Sequence, residues 1–408
     1  MRPFNNMKIL VVSSFLPYPL FSGGHIRLFN LIKELSKRHA ITLVCEKREY
    51  QTEKDIQEVE KICKQVIVID RKKQWSFRNI TKAGFSVYPF LMVGHAQKSM
   101  RSKIEEILVK ETFDLIHIET FYVMQNLPKV SIPTVLVEHN IEYLVYQRFA
   151  QGSSIAFRPL FLLDVMKMKY WEQKFWKEAT RLIAVSNEEK KLMARDDVVV
   201  VPNGVDIEKF KVQSSKFKNN KKEKRILFIG DFKWIQNRDA VEWMLKQIWP
   251  KINSELRTPA SRGEQNLELK LWIVGRSIPD SIKKLTDDRN VLFDENAPME
   301  TLEIFKQADI LLSPIRVGGG TSFKILEAMA SRVPVVTTSL GIEGIDARSG
   351  DDVLIADSPE GLANHTIRLL EDEEKYLRLA KNARELIEKK YDWKVIVKQL
   401  EQVYESVC

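Results

Sequence analysis

Short apolar runs rich in β-branched residues recur along the 408-residue chain, each followed by a stretch with helical spacing, and the alternation then starts over. The first series occupies 8–12, 41–45, 66–69, 115–118, 134–137, 182–185 and 198–201. The second occupies 225–229, 269–274, 291–293, 310–312, 333–336 and 353–355. Strands that are apolar throughout, instead of alternating, are buried on both faces, as in parallel sheets covered by helices. The fold class expected is therefore α/β, with two Rossmann-like parallel-sheet domains. The length supports this, because one hydrophobic core stops growing well before 400 residues. The expected domains are 1–210 and 225–391, joined by the lysine-rich, aperiodic stretch 211–224, with a final helix 392–408 completing the first. The two halves are expected to face each other across a cleft.

Composition narrows the partners. Hydrophobic residues make up 44% and charged residues 29%, an ordinary globular balance. A net charge of +9 suits nucleic acid, an anionic membrane surface or a phosphate-bearing substrate. The lysines are dispersed and no basic-aromatic module stands out, so no nucleic-acid partner is expected. Cys45, Cys63 and Cys408 lie far apart without CxxC spacing, which argues against a zinc site or a disulfide framework and suits a reducing compartment. The stretch 9–20 is broken by Ser13, Ser14, Pro17 and Pro19 and does not read as a signal peptide. No apolar run reaches the roughly 18 residues of a membrane span. A cytoplasmic location is expected, peripheral at the inner face of the membrane if a lipid surface is a partner.

Ligands of open α/β sheets sit beyond the carboxyl ends of the strands, so the informative loops follow Val12, Val137, Val201, Ile229, Val274, Phe293 and Leu312. After Leu312 the chain reads Ser313 to Val317, then Gly318-Gly319-Gly320-Thr321-Ser322, and a helix opens at Phe323. Glycine amides and a helix N-terminus suit a diphosphate or sugar hydroxyls. Lys324 falls in the first turn, where the helix dipole disfavours a cation, and an anionic ligand is one reason for it to be there. Glu327, a turn further on, suits ribose hydroxyls or simply a solvated face. A triglycine turn also occurs as a plain loop, and spacing alone leaves both readings open. Gly23-Gly24 and His139 sit at strand ends where either a structural or a ligand role fits. Ser186 and Asn187 are expected to cap a helix, and Pro202-Asn203-Gly204 to form a tight turn. The stretch 157–176 mixes Phe157, Phe161, Tyr170, Trp171, Phe175 and Trp176 with Arg158, Lys167, Lys169 and Lys174. It reads as a core-facing helix with a basic outer face or as a helix lying on an anionic membrane.

The segment GGGTSFKILEAMASRVPVVTTSLGIEG resembles the nucleotide-sugar-binding signature of retaining glycosyltransferases of family 4, which have the two-Rossmann GT-B fold. The opening KILVVSSFLPYPLFSGGHIRLFNLIKEL, the stretches LIAVSNEEKK, VVVVPNGVDIEKF and ILFIGDFKWIQNRDAVEW, and the end YDWKVIVKQLEQVY extend the resemblance over essentially the whole chain. It implies transfer of a sugar from a nucleotide diphosphate sugar to an acceptor hydroxyl of a glycan, lipid-linked or small glycoconjugate. Retention of configuration is implied, with no metal or other cofactor. It places Glu327 on the donor ribose, and His139 near the donor sugar and acceptor. Gly23, Gly24 and Gly230 would line the donor, and Asn296 lies near nucleobase contacts made largely by backbone. Gly319 replaces a glutamate of the family pattern, and Asp231 and Gln236 replace an arginine and a lysine. Diphosphate charge then falls chiefly to Lys324, with Arg316 and Arg276 as further cations. Lys324 and His139 are accordingly the expected catalytic groups. The alternatives are a nucleotide-sugar epimerase of the same fold and a catalytically silent nucleotide-sugar-binding protein.

Overall fold

A computed structural model describes residues 6–193, 195–211, 223–256, 268–298, 300–318 and 320–408. The chain divides into two compact units, one reaching to Pro202 and including Ile396–Cys408, the other Asn203–Val395.

The first unit holds a seven-stranded parallel sheet of β1 (Lys8–Ser13), β2 (Ala40–Lys47), β3 (Gln65–Asp70), β4 (Leu115–Glu119), β5 (Thr134–Val137), β6 (Arg181–Ala184) and β7 (Val199–Val200). Its spatial order is β3-β2-β1-β4-β5-β6-β7. The second unit holds a six-stranded parallel sheet of β8 (Glu223–Ile229), β9 (Glu268–Val274), β10 (Val291–Asp294), β11 (Ile310–Ser313), β12 (Val335–Thr337) and β13 (Leu354–Ile355). Its order is β10-β9-β8-β11-β12-β13. Every apolar run read from the sequence falls on one of these strands. Residues such as Ile9, Leu10, Val12, Leu136, Leu227 and Leu311 are almost wholly buried, as strands covered on both faces require. Of the stretch read as a linker, 212–222 lies outside the described residues, while Glu223 and Lys224 already belong to β8.

Both sheets reverse their winding at one place, between β1 and β4 in the first unit and between β8 and β11 in the second. Loops leaving adjacent strands diverge there, so the crevice beyond the carboxyl ends of these strand pairs is where a ligand fits. The helices that frame the two crevices and the first unit's outer face are α1 (Gly23–Leu35), α2 (Phe77–Phe85), α3 (Glu142–Gly152), α4 (Arg158–Glu178), α5 (Ile235–Trp243), α6 (Phe323–Ala330), α7 (Glu373–Lys390) and α8 (Trp393–Glu405). Ser186 caps a short helix by accepting from the Glu189 N–H at 3.1 Å, and Asn187 is that helix's first residue instead of a cap. In the second unit the buried Arg384 of α7 donates to the carbonyls of Ala330 (2.5 Å), Phe210 (3.1 Å) and Ile207 (3.1 Å). It thereby satisfies the last carbonyl of α6 and fixes the chain that leads into the sheet. No helix among the described residues is long and apolar enough to cross a membrane.

Candidate functional site

In the second unit, the crevice between β8 and β11 collects the signature residues. Gly318 and Gly320 have φ of 109° and 85°, a left-handed backbone that only glycine adopts without cost, and so bend the loop into α6. Gly319 lies outside the described residues. Ser322 is the N-cap of α6; its carbonyl takes the Ile325 N–H at 3.1 Å, but its side chain makes no capping bond, so the helix start is left without a side-chain cap where an anion fits. The Thr321 hydroxyl oxygen is buried with no hydrogen-bond partner among the described residues.

Lys324, the second residue of α6, donates from Nζ to Asn237 Oδ1 at 2.8 Å, and its ammonium stands 4.5 Å from the centroid of the Phe228 ring. The residue as a whole is half-buried, but its charged end is enclosed, and burial pulls its pKa down to about 7. Asn237 belongs to α5, the helix that follows β8. Its amide donates to the carbonyl of Asp231 at 2.8 Å. A Cβ on Gly230 would stand 2.7 Å from Asn237 Cγ, so glycine at 230 is what lets Asn237 lie across the turn. One bond therefore bridges the two halves of the crevice. The sequence pattern did not point to Asn237, because an asparagine inside a helix carries no signature of its own.

Glu327 lies one turn along α6. Burial raises its carboxyl to about 7, against the lowering effects of a hydrogen bond from Thr301 and the charge of Lys209. Both signature residues thus have pKa values displaced toward neutrality, as is common where a site awaits a charged or polyhydroxyl ligand. Arg316 does not join them. Its guanidinium forms a two-pronged pair with Asp239 (2.8 and 3.1 Å) and stacks 4.4 Å over Trp243. Arg276 is exposed at the end of β9, with its carbonyl taken by the Phe232 N–H at 3.0 Å. Asn296 is exposed, and its backbone N–H donates to Asp294 Oδ1 at 3.0 Å. Asp231 folds onto its own turn by accepting from the Lys233 N–H at 2.9 Å, and Gln236 packs beside Gly318.

The first unit gathers a second cluster beyond β1, β4 and β5. His139 follows β5 by two residues, and its Nε2 pairs closely with Glu119 Oε2. The other oxygen of Glu119 pairs with His117 Nε2 at 2.8 Å, and His117 Nδ1 meets the Tyr404 hydroxyl of α8 at 2.6 Å. Glu119, His117 and Tyr404 are almost fully buried, and His139, at the end of the chain, is half-buried. Burial alone would raise the Glu119 carboxyl, but the two histidines outweigh it, His139 foremost, and hold it below the usual carboxylate range. In a neutral ring whose Nε2–H points at Glu119, Nδ1 is left as an acceptor. Nδ1 faces Gly24, where a Cβ would stand 3.5 Å from it and 3.4 Å from Phe15. Gly23 and Gly24 open α1, and Ser22 before them bonds His25 Nδ1 at 2.5 Å. His25 packs 4.9 Å from Phe15, and burial, with smaller contributions from Arg48 and His139, pulls its pKa down to about 4. Thr120, directly after Glu119, has φ of 74°, a strained value of the kind retained at functional sites. Glu138 turns away and accepts from Trp176 Nε1 at 3.0 Å.

Comparison with known proteins bears on both units. The model of glycosyl transferases group 1 matches residues 223–372, and that of Glycosyltransferase Family 4 matches residues 21–209. An uncharacterised 44.6 kDa protein in the cps region of Klebsiella pneumoniae is 25% identical over 402 residues, covering 95% of this chain and 97% of its own length. A phosphatidyl-myo-inositol mannosyltransferase of Mycolicibacterium smegmatis is 26% identical over 216 residues, 52% of each chain. The match thus spans about half of that enzyme. Among solved structures, Anabaena HepE in complex with UDP-glucose superimposes with a TM-score of 0.63 at 16% identity, over 98% of this chain and 100% of that one. Two family models that together span both Rossmann-like units, on a GT-B architecture shared with solved glycosyltransferases, place this chain in the group 1, family 4 glycosyltransferases.

Proposed function

We propose that the protein transfers a sugar from a nucleoside diphosphate sugar to an acceptor hydroxyl, with retention of configuration. The observation that carries this is the enclosed Lys324 ammonium, held by Asn237 at the uncapped N-terminus of α6. A diphosphate there receives the loop amides, the positive end of the helix dipole and a cation whose burial penalty it relieves. Negative charge develops on the diphosphate as the glycosidic bond breaks, so these groups act on the transition state without a metal ion. Glu327 accepts from the ribose hydroxyls. The acceptor's proton passes to a diphosphate oxygen, and His139, steadied by Glu119, orients the acceptor hydroxyl through Nδ1. Support for a UDP-sugar comes from the likeness to HepE bound to UDP-glucose, and for a lipid-linked acceptor from the likeness to the mannosyltransferase.

Calorimetric titration with UDP-glucose and related nucleotide sugars tests this reading, together with Lys324→Met and Glu327→Gln. We expect one donor to bind, both variants to lose at least about tenfold in affinity, equivalent to about 1.4 kcal/mol, and the donor to be stable until an acceptor is added. Unchanged affinity in both variants would remove the site assignment. Donor conversion without acceptor would make the protein an epimerase, and tight binding with no turnover would make it a nucleotide-sugar-binding protein.

A further inference from the structure

The first unit carries another buried carboxylate–imidazole chain, at the end of β2. Glu46, fully buried, receives Gln97 Nε2 on one oxygen at 2.9 Å and meets His95 Nδ1 with the other at 2.9 Å. His95, which ends the short helix Phe90–His95, is also buried, and its Nε2 lies 3.1 Å from Arg71 Nη2. An arginine can only donate, so that ring nitrogen accepts, and the Glu46 side of the ring carries the proton. Burial favours this neutral ring by lowering the His95 pKa against the pull of Glu46. Arg71 directly follows β3, and its backbone N–H donates to the Lys47 carbonyl at 2.9 Å. It is thus fixed at both ends, from the backbone and through the chain Gln97–Glu46–His95. No motif in the sequence pointed to any of these four residues.

A guanidinium held this firmly, and still half-buried, is short of counter-charge. Burial lowers its pKa, and Glu46 Oε2, at 3.8 Å from Nε, is already engaged by His95. The charge of Arg48, exposed just past β2, bears on Arg71 as well as on His25, so two cations face that one carboxylate. Other acids of this edge do not answer them. Asp70 pairs with Lys47 at 2.9 Å, Glu49 stands 3.9 Å from Lys73, and burial raises the Glu142 carboxyl to about 7, which keeps it largely protonated below neutral pH. His25, 8% exposed, adds a buried Nε2 without a hydrogen-bond partner among the described residues. Partly desolvated cations in excess, beside an imidazole nitrogen with nothing to bind, make a site for an anion: a two-pronged bond to phosphate or carboxylate relieves the burial penalty. Placement points to the acceptor. Arg71 leaves the same carboxyl edge of the sheet as Gly24 and His139, and the ends of β3 and β5 that lead to Arg71 and His139 are four strand spacings apart, about 19 Å. The guanidinium reaches part of the way back, because His95 packs 4.6 Å from Tyr122, whose hydroxyl takes Ser14 Oγ at 3.3 Å just past β1. An anion held there is separate from a hydroxyl that reacts beside His139.

We propose that Arg71, held by Gln97, Glu46 and His95 and joined by Arg48, is an anion subsite that takes a phosphate or carboxylate of the acceptor, carried on a part of it remote from the reacting hydroxyl. That the anion belongs to the acceptor rests on the transferase reading; that Arg71 binds an anion does not. Calorimetric titration of the full chain, without donor, compares cellobiose with cellobiose 6′-phosphate and cellobiuronic acid. Phenylglyoxal modification followed by peptide mass spectrometry reads occupancy at wild-type Arg71 itself, so the result does not hang on a variant that folds poorly. We expect at least one anionic form to bind at least about tenfold more tightly than cellobiose, as a charge-assisted pair of bonds gives, and to protect Arg71. Which form does so tells phosphate from carboxylate. Arg71→Met should abolish that advantage, Arg71→Lys should keep part of it, and Lys324→Met should leave it intact. Equal binding of the three probes overturns the proposal, as does an advantage that survives Arg71→Met. An advantage lost in Lys324→Met, with Arg71 unprotected, overturns it too by placing the anion in the second unit. If Arg71 is protected while Lys324→Met and Glu327→Gln leave donor affinity unchanged, the donor-site assignment fails and the anion subsite stands.

Discussion

Lys324 is placed at a cost to the fold, and that cost can be read against pH. Burial lowers its pKa from 10.5 to about 7, so the unfolded chain holds more protons than the folded one between those values. Stability contributed through this group accordingly rises with pH across that window. Glu327 acts in the opposite sense in a lower window: burial raises its pKa from 4.5 to about 7, the folded chain holds more protons there, and its contribution falls as pH rises from 4.5 to 7. Lys324→Met should therefore stabilise the ligand-free protein at about neutral pH. The gain in a urea titration should shrink as pH climbs toward the ordinary lysine value, and a gain that is flat with pH would contradict the buried-charge account. A bound diphosphate restores the charge, so donor binding near neutral pH should take up a proton. Calorimetry in buffers of different ionisation enthalpy reads this directly, and the uptake should vanish in Lys324→Met. The sequence exposed Lys324 and Glu327 because glycines and a helix start mark their loop. It hid Asn237 and Glu119, whose roles come from partners 87 and 20 residues away.

At the level of elements, α8 is tied to the first sheet by the Tyr404–His117 bond, and the same chain of contacts ends on His139. The two ends answer to different substitutions. Tyr404→Phe leaves a buried imidazole nitrogen without its partner, which costs about 1–3 kcal/mol and should lower the melting temperature by several degrees with kcat little changed. Glu119→Gln should do the reverse. Its amide nitrogen would donate to His139 Nε2, drive the ring proton to Nδ1, and turn the face beside Gly24 from acceptor to donor. We expect kcat to fall roughly 100-fold or more with donor KM little changed, because Lys324 and Glu327, the side chains proposed to hold the donor, belong to the other unit. Equal losses in kcat and KM would argue for a purely structural glutamate. Strands were legible because their buried runs are long enough to stand out. Their last residues were not, since polar ends such as Glu119, Asp70 and Ser313 read as loop until the neighbouring strands pair with them.

The whole molecule crosses between its units only twice, after Pro202 and after Val395, and each unit has its own buried core. Chains built this way commonly depart from a single cooperative transition. Substitutions confined to one unit should then move one part of the melting profile. Arg384→Leu leaves the carbonyls of Ala330, Phe210 and Ile207 without a donor, all within the second unit. At about 1 kcal/mol or more for each unsatisfied buried group, it should shift that unit's transition down by several degrees. Tyr404→Phe should shift the other. Donor at about 100 times its dissociation constant adds about 2.7 kcal/mol to whatever binds it, so it should raise the transition that Arg384→Leu lowers and leave the Tyr404→Phe transition in place. Scanning calorimetry of the wild type and both variants, with and without donor, separates these outcomes. A single peak that every perturbation moves alike would show the two units unfolding as one cooperative body, and would locate the donor's stabilisation in the molecule as a whole instead of in the Asn203–Val395 unit.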